Sequence, residues 1–313
     1  MADIDDASKK LDARDGYARL LDSLFSAALS VSGFDAICAV LRVGGMADAN
    51  WDPFEEARIA FDDYNWILER VAADRGDTAA RRVGLLMYCQ AVEMSAPQEI
   101  IANLLRCLRG KAYSVDPFLD LWIRKKGKPF SSIPPSATKK YKEIRKLAAE
   151  ADRKDVVAAI DAFFEERVRN AFSHSDYIIT EHQFRFMDGG LAQQIEVKRL
   201  DHLVDQCFAF FGAFLYLHKR WLKGLAKAKR FHRWPNYEVL ELLSSEEDGL
   251  YGFQVHFSNG SLATYTRRSS GIEAINLGFD KEAGISFMVG LIDSMEPVWK
   301  INGHPVQDWN AVP

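Results

Sequence analysis

Within six residues, Arg169-Asn170-Ala171-Phe172-Ser173-His174, the chain gathers a guanidinium, an amide, a hydroxyl and an imidazole. A guanidinium grips phosphate through a planar fork of N–H donors, and an imidazole moves protons near neutral pH, so the set suits phosphodiester chemistry. R-x4-H alone recurs by chance in many proteins, and its surroundings give it weight. Residues 155–177 read DVVAAIDAFFEERVRNAFSHSDY. Val157, Ile160, Phe164, Val168 and Ala171 share one helical face, while Glu166, Arg169, Asn170, Ser173 and His174 occupy the opposite arc, about 140° wide. Solvated stripes favour Lys and Glu at i,i+4 spacing. Asn, Ser and His add little to a helix surface unless they hydrogen-bond something. The stripe reads as chosen for contacts.

Several elements must position it. Helices are expected over 137–151 and 154–173, after a proline-rich loop at 127–136. Upstream, Tyr17, Leu20, Leu21, Leu24, Phe25, Ala28 and Leu29 form an apolar stripe that Gly33 would stop. Asp52-Pro53-Phe54-Glu55 marks a helix start, with a cap, a proline at the first position and an acid in the first turn; that helix should reach about residue 73. A helical pair follows over 79–94 and 97–108, with Ser95 and Gln98 as a capping box. After His174 the period changes: 177–187 alternates, Asp188-Gly189-Gly190 makes a turn, and 193–198 returns as a hairpin strand. An apolar helix over about 201–227 comes next. Its core, CFAFFGAFLYL over 207–217, is too short to span a bilayer and belongs in the middle of a bundle or against a partner. Beyond Pro235, Asn259-Gly260 between two β-rich runs signals a hairpin, and 237–243 and 285–292 are strand or short-helix candidates.

Three segments emerge: an acidic helical region over 1–76, a basic helical bundle over 77–234 and a small acidic α+β domain over 235–313. The fold class is therefore mainly α, with an inserted β-hairpin. The 313 residues carry a net charge of −4, but the sign is segregated. Lys and Arg number 8 against 15 Asp and Glu in the first segment, 28 against 18 in the second and 4 against 11 in the third. A basic centre between acidic flanks points to a polyanionic partner. One basic run extends from Arg124 to Lys154 and offers Lys139, Lys140, Lys142, Arg145 and Lys146 for phosphate contact. The other offers Lys219, Arg220 and Lys223, with Trp221, Phe231 and Trp234 interleaved as stacking surfaces.

Other residue types exclude chemistries. Cys38, Cys89, Cys107 and Cys207 show no metal-ligand spacing and read as reduced core thiols; no metal site is expected. Ser173 lacks the setting of a nucleophilic serine. His182, His202, His218, His232, His256 and His304 stand alone and read as structural or solvated. The acidic, polar start is not a signal peptide, and a cytoplasmic location is expected.

The motif resembles the signature of HEPN domains, helical modules with R-x4-6-H and a polar residue, often Asn, directly after the arginine. Arg169, Asn170 and His174 match it residue by residue, and the order of helices from near Asp77 to near Arg230 is similar. The resemblance implies a HEPN-like bundle and a metal-independent endoribonuclease without cofactor. Such enzymes cleave RNA through its own 2′-hydroxyl, leaving a 2′,3′-cyclic phosphate and a 5′-hydroxyl. Arg169 would then stabilise charge on the transition state, His174 would move a proton, and Asn170 would orient the imidazole or hold a phosphate oxygen. Glu166, Ser173 and Tyr177 are the supporting residues; Glu166, one turn before Arg169, could hold the guanidinium in place, with an ordinary i,i+3 surface pair the favoured reading. Tyr177 stands at H-x-x-Y, one residue off the H-x-Y tyrosine that is modified in some toxin-type members, so strand packing is its expected role. The family also implies a homodimer through the motif helix, a defence or toxin setting, an antitoxin or regulatory partner, and no membrane. The alternative is a non-catalytic HEPN module that binds RNA or a partner protein and keeps the motif for dimer contacts.

Overall fold

A helix that is apolar on every side has to be enclosed by other elements, and the run 207–217 sets that condition for the whole molecule. The computed structural model describes residues 2–44, 52–124, 132–228, 232–233, 239–257, 260–281, 284–287, 300–301 and 304–305. Helices α1 (Ala2–Val31), α2 (Gly33–Leu41), α3 (Pro53–Arg75), α4 (Asp77–Glu93) and α5 (Ser95–Leu108) come first. A 3-10 turn (Leu119–Leu121) and the short pair β1 (Ile123–Arg124) and β2 (Ser132–Ile133) follow. Then come α6 (Ala137–Glu150), α7 (Lys154–Phe163) and α8 (Glu166–Ser173). Strands β3 (Tyr177–Ile179), β4 (Gln183–Asp188) and β5 (Leu191–Glu196) form an antiparallel sheet that runs directly into α9 (Val197–Ala228). The apolar run is the middle of α9, and α1, α4 and α7 pack around it. Phe163 of α7 lies 4.6 Å from the ring of Phe210 and 5.6 Å from that of Phe211.

The rest of the described chain is β-structure. Strands β6 (His232–Arg233), β7 (Val239–Ser245), β8 (Gly249–His256), β9 (Leu262–Arg268) and β10 (Gly271–Ile275) make a consecutive antiparallel sheet. The pairs β11 (Leu277–Asp280) with β12 (Gly284–Phe287), and β13 (Lys300–Ile301) with β14 (His304–Pro305), are separate. The Asn-Gly hairpin joins β8 to β9, with Val255 opposite Ala263, although Asn259 itself lies outside the described residues. The candidates at 237–243 and 285–292 are strands β7 and β12 as far as they are described; residues 237–238 and 288–292 lie outside. The helix expected in an α+β domain is not found among the described residues beyond Pro235. This sheet packs directly on α9: at Gly249, with φ +75, a Cβ would come within 2.8 Å of the Leu222 backbone. One apolar cluster runs from Tyr17 to Leu277 and is shared by all three sequence segments.

Four local expectations are corrected. Gly33 does not stop the first helix; extended Ser32 ends α1 and caps α2, accepting from Asp35 N at 3.4 Å, so Gly33 is the first residue of the next helix. Ser95 and Gln98 form no capping box. The chain passes from α4 to α5 through Met94 alone, so Ser95 is already helical, and Gln98 Nε2 donates to Val92 O at 2.8 Å. The run 177–187 is two strands rather than one, because Thr180-Glu181-His182 turns back, with Thr180 Oγ1 accepting from Gln183 N at 3.0 Å. The helix expected over 154–173 is broken at Phe164 and Glu165.

A buried ionic chain ties the sheet to the helices. Asp52 caps α3, accepting from Phe54 N at 3.0 Å, and its other oxygen pairs with Arg267 of β9 at 2.7 Å. Arg42, at the end of α2, lies 3.7 Å from Asp52 and 3.1 Å from Glu99 of α5. Beside them, a ring nitrogen of His218 hydrogen-bonds Val40 O at 2.9 Å. Burial pushes the His218 imidazole down to about 4, aided by Arg42 and Arg267 and opposed by Asp52 and the Val40 carbonyl. The folded value lies below the ordinary 6.5, so the unfolded chain takes up the proton first. His218 therefore supports the fold fully above pH 6.5, and that support is lost as the pH falls towards 4. Urea unfolding at a series of pH values should show this slope in wild type and a flatter one in His218→Phe. Equal slopes would exclude His218 as its source.

Candidate functional site

Helix α8 exists as a separate unit because the backbone is extended at Phe164 (φ −101, ψ 108) and Glu165 (φ −121, ψ 106). Such a break strands polar backbone groups. A single phenol satisfies two of them: Tyr88 of α4 donates to Glu165 O at 3.3 Å and accepts from Glu165 N at 2.9 Å. Tyr88 is fully buried, and burial drives its pKa well above the usual phenol value. The Glu165 carboxylate caps the new helix, accepting from Arg167 N at 3.4 Å and from Arg167 Nε at 3.0 Å. The far end closes as a Schellman motif. Asp176 N donates to Ala171 O at 2.9 Å and Ser175 N to Phe172 O at 3.1 Å, with Ser175 in the left-handed region at φ +59. His174 is thus the C-cap, exposed, its backbone N–H bonded to Asn170 O at 3.0 Å.

Arg169 does not meet Glu166. Its Nη2 pairs with Glu93, the last residue of α4, and its Nη1 donates to Asn170 Oδ1 at 2.8 Å. Glu166 is exposed and the expected support from it is not made, because one turn back on the same helix it faces water while Arg169 leans across to α4. Asn170 accepts from Arg169 through its oxygen, which leaves its amide N–H groups as donors. The Nε of Arg169 is buried and meets no protein acceptor, a cost of roughly 1–3 kcal/mol that ordinary surface arginines avoid. The side chain is nevertheless 24% exposed, so its outer hydrogens are reachable. Below it, burial raises the Cys89 thiol to about 11, against the pull of its hydrogen bond with Ser173 and of the Arg169 charge. Tyr177 packs between Phe172 (5.3 Å) and Phe184 (5.4 Å), as a strand residue should.

The expected phosphate-contacting residues divide. On α6, Lys139, Lys142 and Lys146 are exposed, Lys146 in an i,i+3 pair with Glu143 at 3.1 Å. Lys140 instead turns inward. Its Nζ donates to Ser95 at 2.9 Å and lies 5.6 Å over the Phe118 ring, and burial lowers its pKa despite nearby Glu99 and Glu93. Arg145 is held by Asp161 at 2.7 Å and lies over Phe164 at 5.7 Å. Lys219, Arg220 and Lys223 are exposed in the last turns of α9. Cys207, whose thiol interacts with Tyr88 and Cys89, marks the level of the motif on that helix. At 1.5 Å per residue, Lys223 lies about 24 Å further along. The side chains of Arg124, Lys125, Lys126, Lys128, Phe231 and Trp234 lie outside the described residues.

Glu93 and Tyr88 are the residues that sequence reasoning missed. They sit 76 and 77 positions from their partners, and nothing local marks either. Among the described residues, no group of three or more His, Cys, Asp or Glu side chains is placed to hold a metal ion, and no helix is long and apolar enough to cross a membrane.

Tyr88→Phe removes the one group that serves both Glu165 backbone atoms. It should destabilise the chain by about 1–3 kcal/mol and raise amide exchange across 165–174. A variant with unchanged exchange there would show that the break does not depend on the phenol.

The chain matches no family model, no curated protein and no solved structure.

Proposed function

We propose that the protein is a metal-independent endoribonuclease of the HEPN type, acting as a homodimer. The observation that supports this reading best is the Arg169 side chain, clamped by Glu93 and Asn170 at the surface end of a short helix whose C-cap is the exposed His174. Each Nη nitrogen keeps a second hydrogen for a phosphate oxygen, and the Asn170 amide adds a donor. In the reaction, the 2′-oxygen of RNA bonds to the adjacent phosphorus, its proton passes to a base, and the bond from phosphorus to the 5′-oxygen breaks. That oxygen then takes a proton from an acid. One imidazole serves as base or acid, and the second copy of the motif in a dimer supplies the other. Arg169 meets the negative charge that builds on the phosphorane-like transition state. The exposed lysines of α6, Lys139, Lys142 and Lys146, offer phosphate contacts in the same basic segment. A defence or growth-arrest setting, with an antitoxin or regulatory partner, rests on the resemblance alone.

The Glu93 pairing favours a second reading. Glu93 already neutralises Arg169 and ties α8 to α4, as it would in a module that binds RNA or a partner without cutting.

RNA cleavage with EDTA present, read with end-group analysis, separates the two. Wild type should leave 2′,3′-cyclic phosphate ends. His174→Ala and Arg169→Ala should cleave more slowly by a factor on the order of 10²–10⁴, with RNA binding retained in His174→Ala. Wild-type rates in His174→Ala, or 3′-hydroxyl products, would rule out this active site.

A further inference from the structure

Towards the C-terminal end of α9, two cavities of about 420 and 660 Å³ open side by side, and Tyr216 and Lys219 line both. Tyr216 is 57% exposed, with the Arg14 guanidinium 6.0 Å over its ring. The larger cavity has an apolar floor, Phe25 stacked on Trp221 at 4.6 Å, and Trp221 Nε1 donates to Asp22 at 2.9 Å. Its rim carries Lys219, Arg220, Lys223 and Lys227, all exposed, and no carboxylate of a described residue pairs with any of them. Arg58, beside the smaller cavity, is taken by Glu55 and Asp62 and adds nothing.

Two glycines point the same way. Gly212 lines the smaller cavity and Gly224 the larger, both inside α9, where glycine weakens a helix. A Cβ at Gly224 would meet nothing within 4 Å, and one at Gly212 would meet only Arg14 Nε at 4.0 Å. The packing of this chain requires neither glycine. The room they leave is available to a ligand.

We infer that the Tyr216 face of α9 holds single-stranded RNA at a site separate from the motif. An exposed aromatic ring beside cations repeated along one helix is the arrangement that stacks bases and tracks a phosphate backbone. The four cations span nine residues, about 12 Å of helix, which suits a repeating charge better than one compact anion. An acidic helical peptide would use the cations but has no flat group for Tyr216. The choice of RNA over DNA rests on the ribonuclease reading. With Tyr216 about 13 Å and Lys223 about 24 Å along α9 from the level of the motif, the site anchors a strand rather than cuts it. Long substrates gain from it and short ones do not.

The test uses the full chain, a labelled single-stranded oligouridylate and fluorescence anisotropy across a salt series in EDTA. Tyr216→Ala should weaken binding roughly tenfold. The double variant Lys219→Glu with Lys223→Glu should weaken it further and flatten the salt dependence by about 1.4, near 0.7 for each phosphate that is no longer neutralised. Gly224→Leu should leave the melting temperature equal or higher, since it improves the helix, yet weaken binding by filling the cavity; a merely structural role would not separate these readouts. His174→Ala should bind as wild type. Wild-type affinity and salt slope in all the α9 variants would overturn the inference, even if His174→Ala abolishes cleavage. So would an acidic peptide binding at this face where the oligouridylate does not. Binding that depends on α9 without any cleavage would instead sink the ribonuclease reading and leave the RNA-holding site standing.

Discussion

Everything in the molecule answers to the demand that α9 be kept from water. Phe210, Phe211 and Phe214 are each at most 2% exposed, and burying one such side chain contributes about 1.5–3 kcal/mol. α1, α4 and α7 meet α9 from the helical side, and β8 seats against it from the sheet. Once α4 is fixed on α9, by packing and by Arg81 pairing with Asp201 at 2.9 Å, the flank beside that contact is fixed too. Tyr88 stands at its edge, and Cys89 and Glu93 lie about 80° and 120° round the helix from Arg81, the row on which α8 rests. The candidate site is thus positioned by a packing contact one layer beneath it.

The break before α8 follows from two adjacent phenylalanines. Neighbours in a helix point about 100° apart, so Phe163 and Phe164 cannot share one face of a continuous helix. In the structure Phe163 enters the α9 core, while Phe164 lies 4.4 Å from the Tyr141 ring and beneath Arg145. Extended backbone at Phe164 and Glu165 lets both be buried, and the Tyr88 hydroxyl satisfies the groups this frees. The helix then restarts with Val168 and Ala171 inward. The polar stripe keeps its order but is carried on eight residues rather than twenty, which brings Arg169 within reach of α4.

Charge behaves differently in space than along the chain. The two basic runs flank the motif in sequence, yet Lys140 of α6 turns inward to Ser95 and Arg145 is taken by Asp161, and the α9 cations lie along that helix away from the motif. A long basic side chain covers apolar surface with its stem, so a cation near a packed helix end is readily drawn into the fold. Asp52 shows the converse: a cap legible from Asp52-Pro53 also receives Arg267, 215 positions away, and so joins the acidic end of the chain to its beginning.

The sequence by itself determined what neighbouring residues decide among themselves. The Asp52-Pro53 helix start, the Asn-Gly hairpin, the apolar run of α9, the strand role of Tyr177 and the grouping of Arg169, Asn170 and His174 all depend on spacings of a few residues. Backbone sterics and short-range hydrogen bonds act over that distance. The tertiary structure alone decided the rest. Tyr88 satisfies the break in the motif helix, Glu93 rather than Glu166 pairs with Arg169, Lys140 turns towards Ser95, and the three segments share one core. These outcomes turn on which buried groups find partners when helices pack, and partners 45 to 77 residues apart leave no periodic trace in the chain.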